Sequence, residues 1–477
     1  LKFNFLGGQH KGFSPNQNTQ ETVNMFLEVD SSEENKLTLY RVDGKKDFIE
    51  LPKSPIYNMA EFRGVLYVVA GDSIYKIIET VGGYSYSLIG AADLTLNVTI
   101  AANNAGQLCF NSSYTLKAYV LDTNTDTLTQ ITDPAFYGSP RVDYLDGYGV
   151  FVRPNSQQFY ISKYNDFLIY DGLEFATNGS DPDNLVTVIV DHRELVVFGR
   201  KSASFWFAND SQNTVDFSLS RRDGADTEVG CAAALSVAKL DNTVFFLGRN
   251  VYGQGLVYRL NQYVPQIVSN RGIEQMINTF SRIDDAIAYA YQKNGHSFYV
   301  LTFPTANKTL VYDASIQDPD MAWSVRETYN LGRDRATCHA FAFNKHLVGD
   351  YSSGKIFELD ENTHTDGGLP IVWSRTSTHI ISDYKRIRHK EVVLNFQTGV
   401  GLENGDDPII YLTYSDDGGH SYITPREASL GVIGQRKNRV MFSRLGQSRD
   451  RVYKVFGSAP VKTVFISGFI ELEALKT

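Results

Sequence analysis

Between residues 59 and 360 the chain keeps returning to one pattern. Short apolar stretches with β-branched or aromatic residues at alternate positions are separated by turns rich in Gly, Asn and Asp. "MAEFRGVLYVVAGDSIYKI" (59–77) shows the unit: an apolar lead-in, a turn, an apolar strand, a second turn with Gly71, then an alternating strand. Similar phrases start at residues 100, 142, 186, 234, 286 and 339, spaced by roughly 40 to 54 residues. That period suits four-stranded propeller blades, and no single blade can bury both its faces alone. Seven units are expected, or six if the first or last is incomplete. The strand-like "KLTLYRV" (36–42) is expected to complete the last blade and close the ring.

Two stretches depart from the pattern. In "RGIEQMINTFSRIDDAI", Ile273, Met276, Ile277 and Phe280 fall at i, i+3, i+4 and i+7, which predicts a short helix between blades, with partner binding as a second use. After "DGGLPIVWSRTSTHI" (366–380) the strands become longer and cleaner, and a small sandwich or barrel is expected. The sequence therefore predicts an all-β protein. An N-terminal arm with the closing strand covers 1–58, a propeller 59–380, and a C-terminal β domain 381–477.

Composition supports this reading. The chain has 28 Tyr, 29 Phe and 38 Gly but only 5 Met, a mix that fits pleated surfaces and tight turns. The net charge of −9 argues against a general nucleic-acid binder. Charge is uneven, because residues 382–477 hold 14 Lys/Arg against 11 Asp/Glu. Cys109, Cys231 and Cys338 lie far apart in apolar sequence and read as buried reduced thiols. No apolar run reaches the roughly 18–20 residues of a membrane helix, so a soluble protein made in a reducing cytoplasm is expected.

Catalytic and cofactor motifs are sparse. There is no phosphate-binding loop, HExxH, paired CxxC or GxSxG, and the Gly-rich "GRNVYGQG" (248–255) reads as a turn between strands. No cofactor and no metal are expected. "SDDGGHSY" (415–422) fits an Asp-box pattern through Ser415, Asp417, Gly419 and Tyr422. Such a turn has a carboxylate tying down loop amides, a glycine at positive φ and an aromatic packing underneath. The adjacent pairs Asp284–Asp285 and Asp406–Asp407 read as solvated loop carboxylates.

The most conspicuous charge feature is "FSRLGQSRDRVYKVFGS", with Arg444, Arg449, Arg451 and Lys454 inside eleven positions. Alternation puts Arg451 and Lys454 on opposite faces of one strand, so neither face is cleanly basic. Arg449 and Arg451 flank Asp450, which suggests local ion pairing. Ion pairs or a contact to a subunit or adaptor are favoured over nucleic-acid readout.

Four segments resemble a known family. They are "TVNMFLE" (22–28), "VVFGRKSASFWFAND" (196–210), "HSFYVLTFPTANKTLVYDASIQDPDMAWSVRE" (296–327) and "FSRLGQSRDRVYKVFGSAPVKTVFISGFIELE" (442–473). In this order they resemble the tail-nozzle, or packaged-DNA stabilisation, proteins of short-tailed (podovirus-type) bacteriophages. The resemblance implies a propeller plus further β structure, no enzymatic activity, and a place in the virion tail. It also implies a homo-hexameric ring joined to the tail adaptor and portal complex, with tail needle, spike or fibre proteins as further partners. Double-stranded DNA would pass through without sequence-specific binding. A net-acidic chain suits such a conduit, since each neutralised phosphate adds affinity and drag. The alternative is a propeller glycosidase or lectin acting on host-surface glycans.

Overall fold

The computed structural model describes residues 2–3, 5–12, 14–30, 37–178, 183–209, 217–249, 255–383, 385–402 and 405–475. Lys36 of the expected closing strand and residues 250–254 of the Gly-rich turn lie outside them. Among the described residues, seven antiparallel sheets succeed one another along the chain. Six are built from consecutive strands: blade 1 (56–91), blade 2 (98–130), blade 3 (142–177), blade 4 (185–221), blade 5 (230–267) and blade 6 (287–326). In blade 5 the innermost position is shared by Gly230–Cys231 and Ala238–Leu240, which both pair with Thr243–Arg249.

Burial follows blade position. Second strands such as Val65–Ala70 and His296–Phe303 are buried almost throughout, whereas the outermost strands Gly83–Ala91 and Thr127–Gln130 are mostly exposed. All three cysteines are buried, and desolvation pushes their thiol pKa values up, that of Cys231 to about 11.

Blade 7 (336–360) supplies only three strands of its own, and its fourth comes from the N-terminal region. That strand is not "KLTLYRV". Leu37–Arg41 instead pairs with Met25–Val29 and with Val464–Ala474, burying Leu39 in the C-terminal domain. The closing strand is the next one, Gly44–Glu50, antiparallel to Lys355–Asp360. Two features select it. Gly44 runs so close to Thr363 that a Cβ would lie 2.2 Å from its carbonyl oxygen. Lys45 is buried between Asp334 (2.7 Å) and Asp366 (3.1 Å). Asp366 is held in turn by the Thr328 hydroxyl. Burial alone would raise the pKa of Asp334, but the Lys45 charge more than offsets this and holds the carboxyl below its ordinary range.

The C-terminal domain is a two-sheet sandwich with extensive N-terminal participation. One sheet contains Met25–Val29, Leu37–Arg41, Val464–Ala474, Ile387–Phe396 and Val440–Ser443. The other runs through Thr19–Val23, Trp373–Thr376, Asp450–Gly457, Ile409–Ser415 and Arg426–Ser429. Thr19–Val23 also pairs parallel with Trp323–Arg326, the last strand of blade 6, so blade and sandwich form one continuous sheet. The changeover between modules therefore falls between 360 and 373 rather than at 380. Residues expected to form an N-terminal arm and closing strand contribute strands to both modules.

A single apolar cluster spans this junction. Phe5, Leu27 and Leu39 meet Phe245 and Leu247 of blade 5, Tyr299 and Trp323 of blade 6, and Trp373, Phe396 and Phe465 of the sandwich. Arg375, fully buried, donates to the carbonyls of Phe5 and Gly8 and to Thr22 Oγ1, all at 2.8 Å, and to Gln20 Oε1 at 2.6 Å. The predicted helix spans Arg271–Thr279, with Ile273 and Ile277 buried and Asn270 capping the Ile273 amide. Asn270 also donates to the Gln9 carbonyl, so this helix braces the N-terminal segment.

Replacing Lys45 by Met should strip two buried carboxylates of the cation between them and cost about 3–5 kcal/mol, read as a lowered urea midpoint. Adding Asp334→Asn and Asp366→Asn should recover part of that loss. Because the Asp334 pKa is depressed on folding, its contribution is present above about pH 4 and is lost as pH falls through the folded value. A loss below about 1 kcal/mol for Lys45→Met would contradict this account of closure.

Candidate functional site

The basic segment divides into inward and outward cations. On strand Asp450–Gly457, Arg451 is 1% exposed. Its Nε and Nη2 fork onto Asp416 Oδ1 (2.6 Å) and Oδ2 (2.7 Å), and Nη1 donates to the Leu445 carbonyl. The guanidinium lies 3.8 Å above the Tyr414 ring and 5.8 Å from that of Tyr453. Burial alone would lower its pKa, but the hydrogen bonds to Asp416 offset this and the pKa is raised. Arg451 is therefore not presented to a neighbouring chain, which corrects its place among the expected contact residues. The partner suggested by sequence proximity is also different, since Asp450 engages His379 Nδ1 at 2.8 Å.

Lys454 is half-buried, with Nζ 3.6 Å from Glu21 on Thr19–Val23. Arg444 and Arg449 are exposed. Arg444 occupies the left-handed region (φ 57°) where the chain turns, and its carbonyl accepts from Arg426 Nη2 at 3.1 Å. The four cations thus separate into two that serve the sandwich from within and two that face out.

The Asp-box turn has the expected wiring. Asp417 Oδ1 accepts from the Ser415 hydroxyl (2.6 Å) and from the amides of His420 (3.0 Å) and Ser421 (2.9 Å). Ser415 Oγ accepts from the Gly419 amide at 2.8 Å. These donors, the Ser415 hydroxyl first, pull the Asp417 pKa well below the ordinary range. Gly418 and Gly419 have φ of 77° and 94°. A Cβ on Gly418 would lie 1.8 Å from Asn16 Oδ1, and one on Gly419 would lie 2.8 Å from Thr19 Cγ2, so the turn seats residues 16–19. Tyr422 stays 38% exposed, and partial burial raises its pKa to about 12. It does not pack fully beneath the turn as expected.

A cavity of about 780 Å³ lies among the inner edges of the blades, lined by Asp143, Lys239 and His339 from innermost strands and by Arg141, Asp285 and Arg333 from the segments that lead into them. Several of these charges are tied to the framework. Arg141 donates to the Val237 carbonyl (2.8 Å), and Asp143 accepts from the amides of Tyr144 and Val190 (both 2.8 Å). Asp285 accepts from the Thr305 amide at 2.8 Å, and Arg333 lies 3.8 Å over the Tyr351 ring. Burial lowers the His339 pKa to about 3, leaving a neutral ring at physiological pH.

With these charges placed, comparison with known proteins assigns the chain. Residues 4–364 match the family described as Bacteriophage P22 Gp10, beta-propeller, and residues 372–473 match Bacteriophage P22 Gp10, beta-sandwich. The chain belongs to the bacteriophage P22 Gp10 family. It is a structural phage protein and a component of the virion. No curated protein matches it. Solved structures similar to this Gp10-family chain include a streptogramin B lyase, at 12% identity and TM-score 0.42, covering 66% of this chain and 95% of that one. Virginiamycin B lyase from Staphylococcus aureus is similar at 10% identity and TM-score 0.42, covering 65% and 97%. YCF48 bound to a D1 peptide follows at 11% and 0.39, covering 67% and 97%.

The sequence drew attention to the Gp10-family chain's basic run but missed Asp416, which sits in the same turn as Asp417. The "SDD" of the Asp-box was the available signal, one carboxylate for the turn and one for Arg451. Arg451→Lys keeps the charge but loses the fork and the ring stacking, and should cost about 1–3 kcal/mol. Arg444→Glu, at an exposed position, should stay within about 0.5 kcal/mol of wild type in the same denaturant titration. The reverse ranking would contradict the division into inward and outward cations.

Proposed function

We propose that this chain is the tail-nozzle component of a short-tailed phage. It assembles as a homo-hexameric ring below the portal and adaptor, helps retain packaged DNA, and serves as a passive conduit during ejection. Membership of the Gp10 family along both modules carries this reading. Tail needle, spike or fibre proteins would dock on the exposed end of such a ring. The chain acts by assembly and not by catalysis. Its buried cations support that role: Lys45, Arg375 and Arg451 all bond within the chain and stiffen it.

Charge distribution supports a conduit. With a net charge of −9 per copy, a ring of such chains repels the phosphate backbone from most of its walls. The exposed Arg444 places a guanidinium where carboxylates of a neighbouring subunit or adaptor can reach it, with Arg449 also at the surface nearby.

Gold-labelled antibody electron microscopy of intact particles tests the location. Label confined to one vertex below the capsid is expected, and label on free protein alone would remove the tail assignment. The double variant Arg444→Glu/Arg449→Glu should fold normally yet be under-represented in purified particles. Unchanged incorporation would exclude these two residues from the contact. Sustained turnover of a fluorogenic glycoside panel would replace the structural reading with the glycan-active one.

A further inference from the structure

One buried titratable group sits where the propeller meets the N-terminal segment. His296 begins the second strand of blade 6 and is 6% exposed. Its Nδ1 lies 2.6 Å from Asp313 Oδ2 on the adjoining strand of the same blade. Its Nε2 lies 2.8 Å from Glu28 Oε2 on Met25–Val29, a strand of the sandwich. A neutral imidazole carries one N–H and has one acceptor nitrogen, whereas both nitrogens here face carboxylate oxygens. Only the imidazolium can donate to both.

The surroundings leave the two carboxylates as its charge partners. Asp313 Oδ1 is occupied by the Ser315 hydroxyl (2.6 Å) and amide (3.0 Å). Lys293, opposite His296 in the strand register, is committed to Asp43 at 2.8 Å and to the Leu359 carbonyl. Arg326 lies against the ring of Phe298, 5.0 Å from its centroid. Phe298 stacks on His296, and Phe26 meets it edge-on at 4.8 Å. The ring is thus clamped between aromatic groups, with one carboxylate from each module at its ends.

We propose that His296 is a pH-sensitive latch between blade 6 and the N-terminal segment: its imidazolium holds strand Met25–Val29 through Glu28, and loss of the proton loosens that strand. Burial alone would push its pKa down, but Asp313 and then Glu28 more than offset this, so it lies above the ordinary histidine value. The contribution is therefore fully present below about pH 6.5 and is lost as pH rises through the raised folded value. On deprotonation one carboxylate faces a lone pair, and Glu28, with its side chain 45% exposed, is the one free to turn to water. The latch is independent of the proposed role in the tail.

Histidine-selective NMR titration of the full chain tests it, beside hydrogen exchange at residues 25–29 corrected for intrinsic rates. Wild type should titrate above the ordinary histidine range and lose protection at 25–29 between pH 6 and 9. Glu28→Gln, altered at a half-exposed position, should move the His296 midpoint downward and flatten the pH dependence of protection. His296→Gln should abolish that dependence. If His296→Gln fails to fold, the Glu28→Gln titration decides alone. A wild-type midpoint at or below the ordinary range would overturn the latch. So would an equal pH dependence of protection in wild type and Glu28→Gln.

Discussion

The first fifty residues cannot be removed from either module without leaving it open, and this constraint organises the molecule. Thr19–Val23 lies between the last strand of blade 6 and the first strand of the sandwich, supplying hydrogen bonds to both. Met25–Val29 and Leu37–Arg41 extend the second sandwich sheet, and Gly44–Glu50 completes blade 7. Arg375 fixes the start of this path by binding the backbone at Phe5 and Gly8, and Lys45 fixes its end between Asp334 and Asp366. A buried cation is costly unless its partners are well placed. Each cation therefore also selects the register in which the segment lies.

The same constraint explains the basic run near the C-terminus. Arg451 and Lys454 lie on the strand that adjoins Trp373–Thr376, itself paired with Thr19–Val23. Lys454 approaches Glu21, and the neighbouring turn at 415–422 seats residues 16–19. Lys454 therefore bears on the chain's own N-terminal segment, while Arg451 holds Asp416 in the turn that seats it. Only Arg444 and Arg449 face outward among the four cations, which confines the proposed assembly contact to one small region.

The propeller was legible because blade strands alternate locally and their turns recur at a steady interval. All seven phrases, from "MAEFRGVLYVVAGDSIYKI" to "HAFAFNKHLVGDYSSGKIFELD", became blades. The helix was legible for a similar reason, since Ile273 and Ile277 lie one turn apart on its buried face. Ring closure was not. "KLTLYRV" has the better strand pattern, but what selects Gly44–Glu50 is the meeting of Lys45 with carboxylates about 290 and 320 residues away. The Arg451 partner was hidden in the same way. Asp450 is adjacent in sequence, yet a strand sends neighbouring side chains to opposite faces, and Asp416 reaches Arg451 from the paired strand's turn.

Such sharing makes closure of the propeller depend on an intact sandwich, and that is the central claim about this fold. Hydrogen exchange resolved along the chain and followed through a urea titration measures it most directly. Protection of the closing strand 44–50 and of the sandwich strand 464–474 should disappear at one denaturant concentration, as a single cooperative unit requires. Protection at 44–50 persisting after 464–474 has unfolded would contradict it and would establish a propeller that closes without the sandwich.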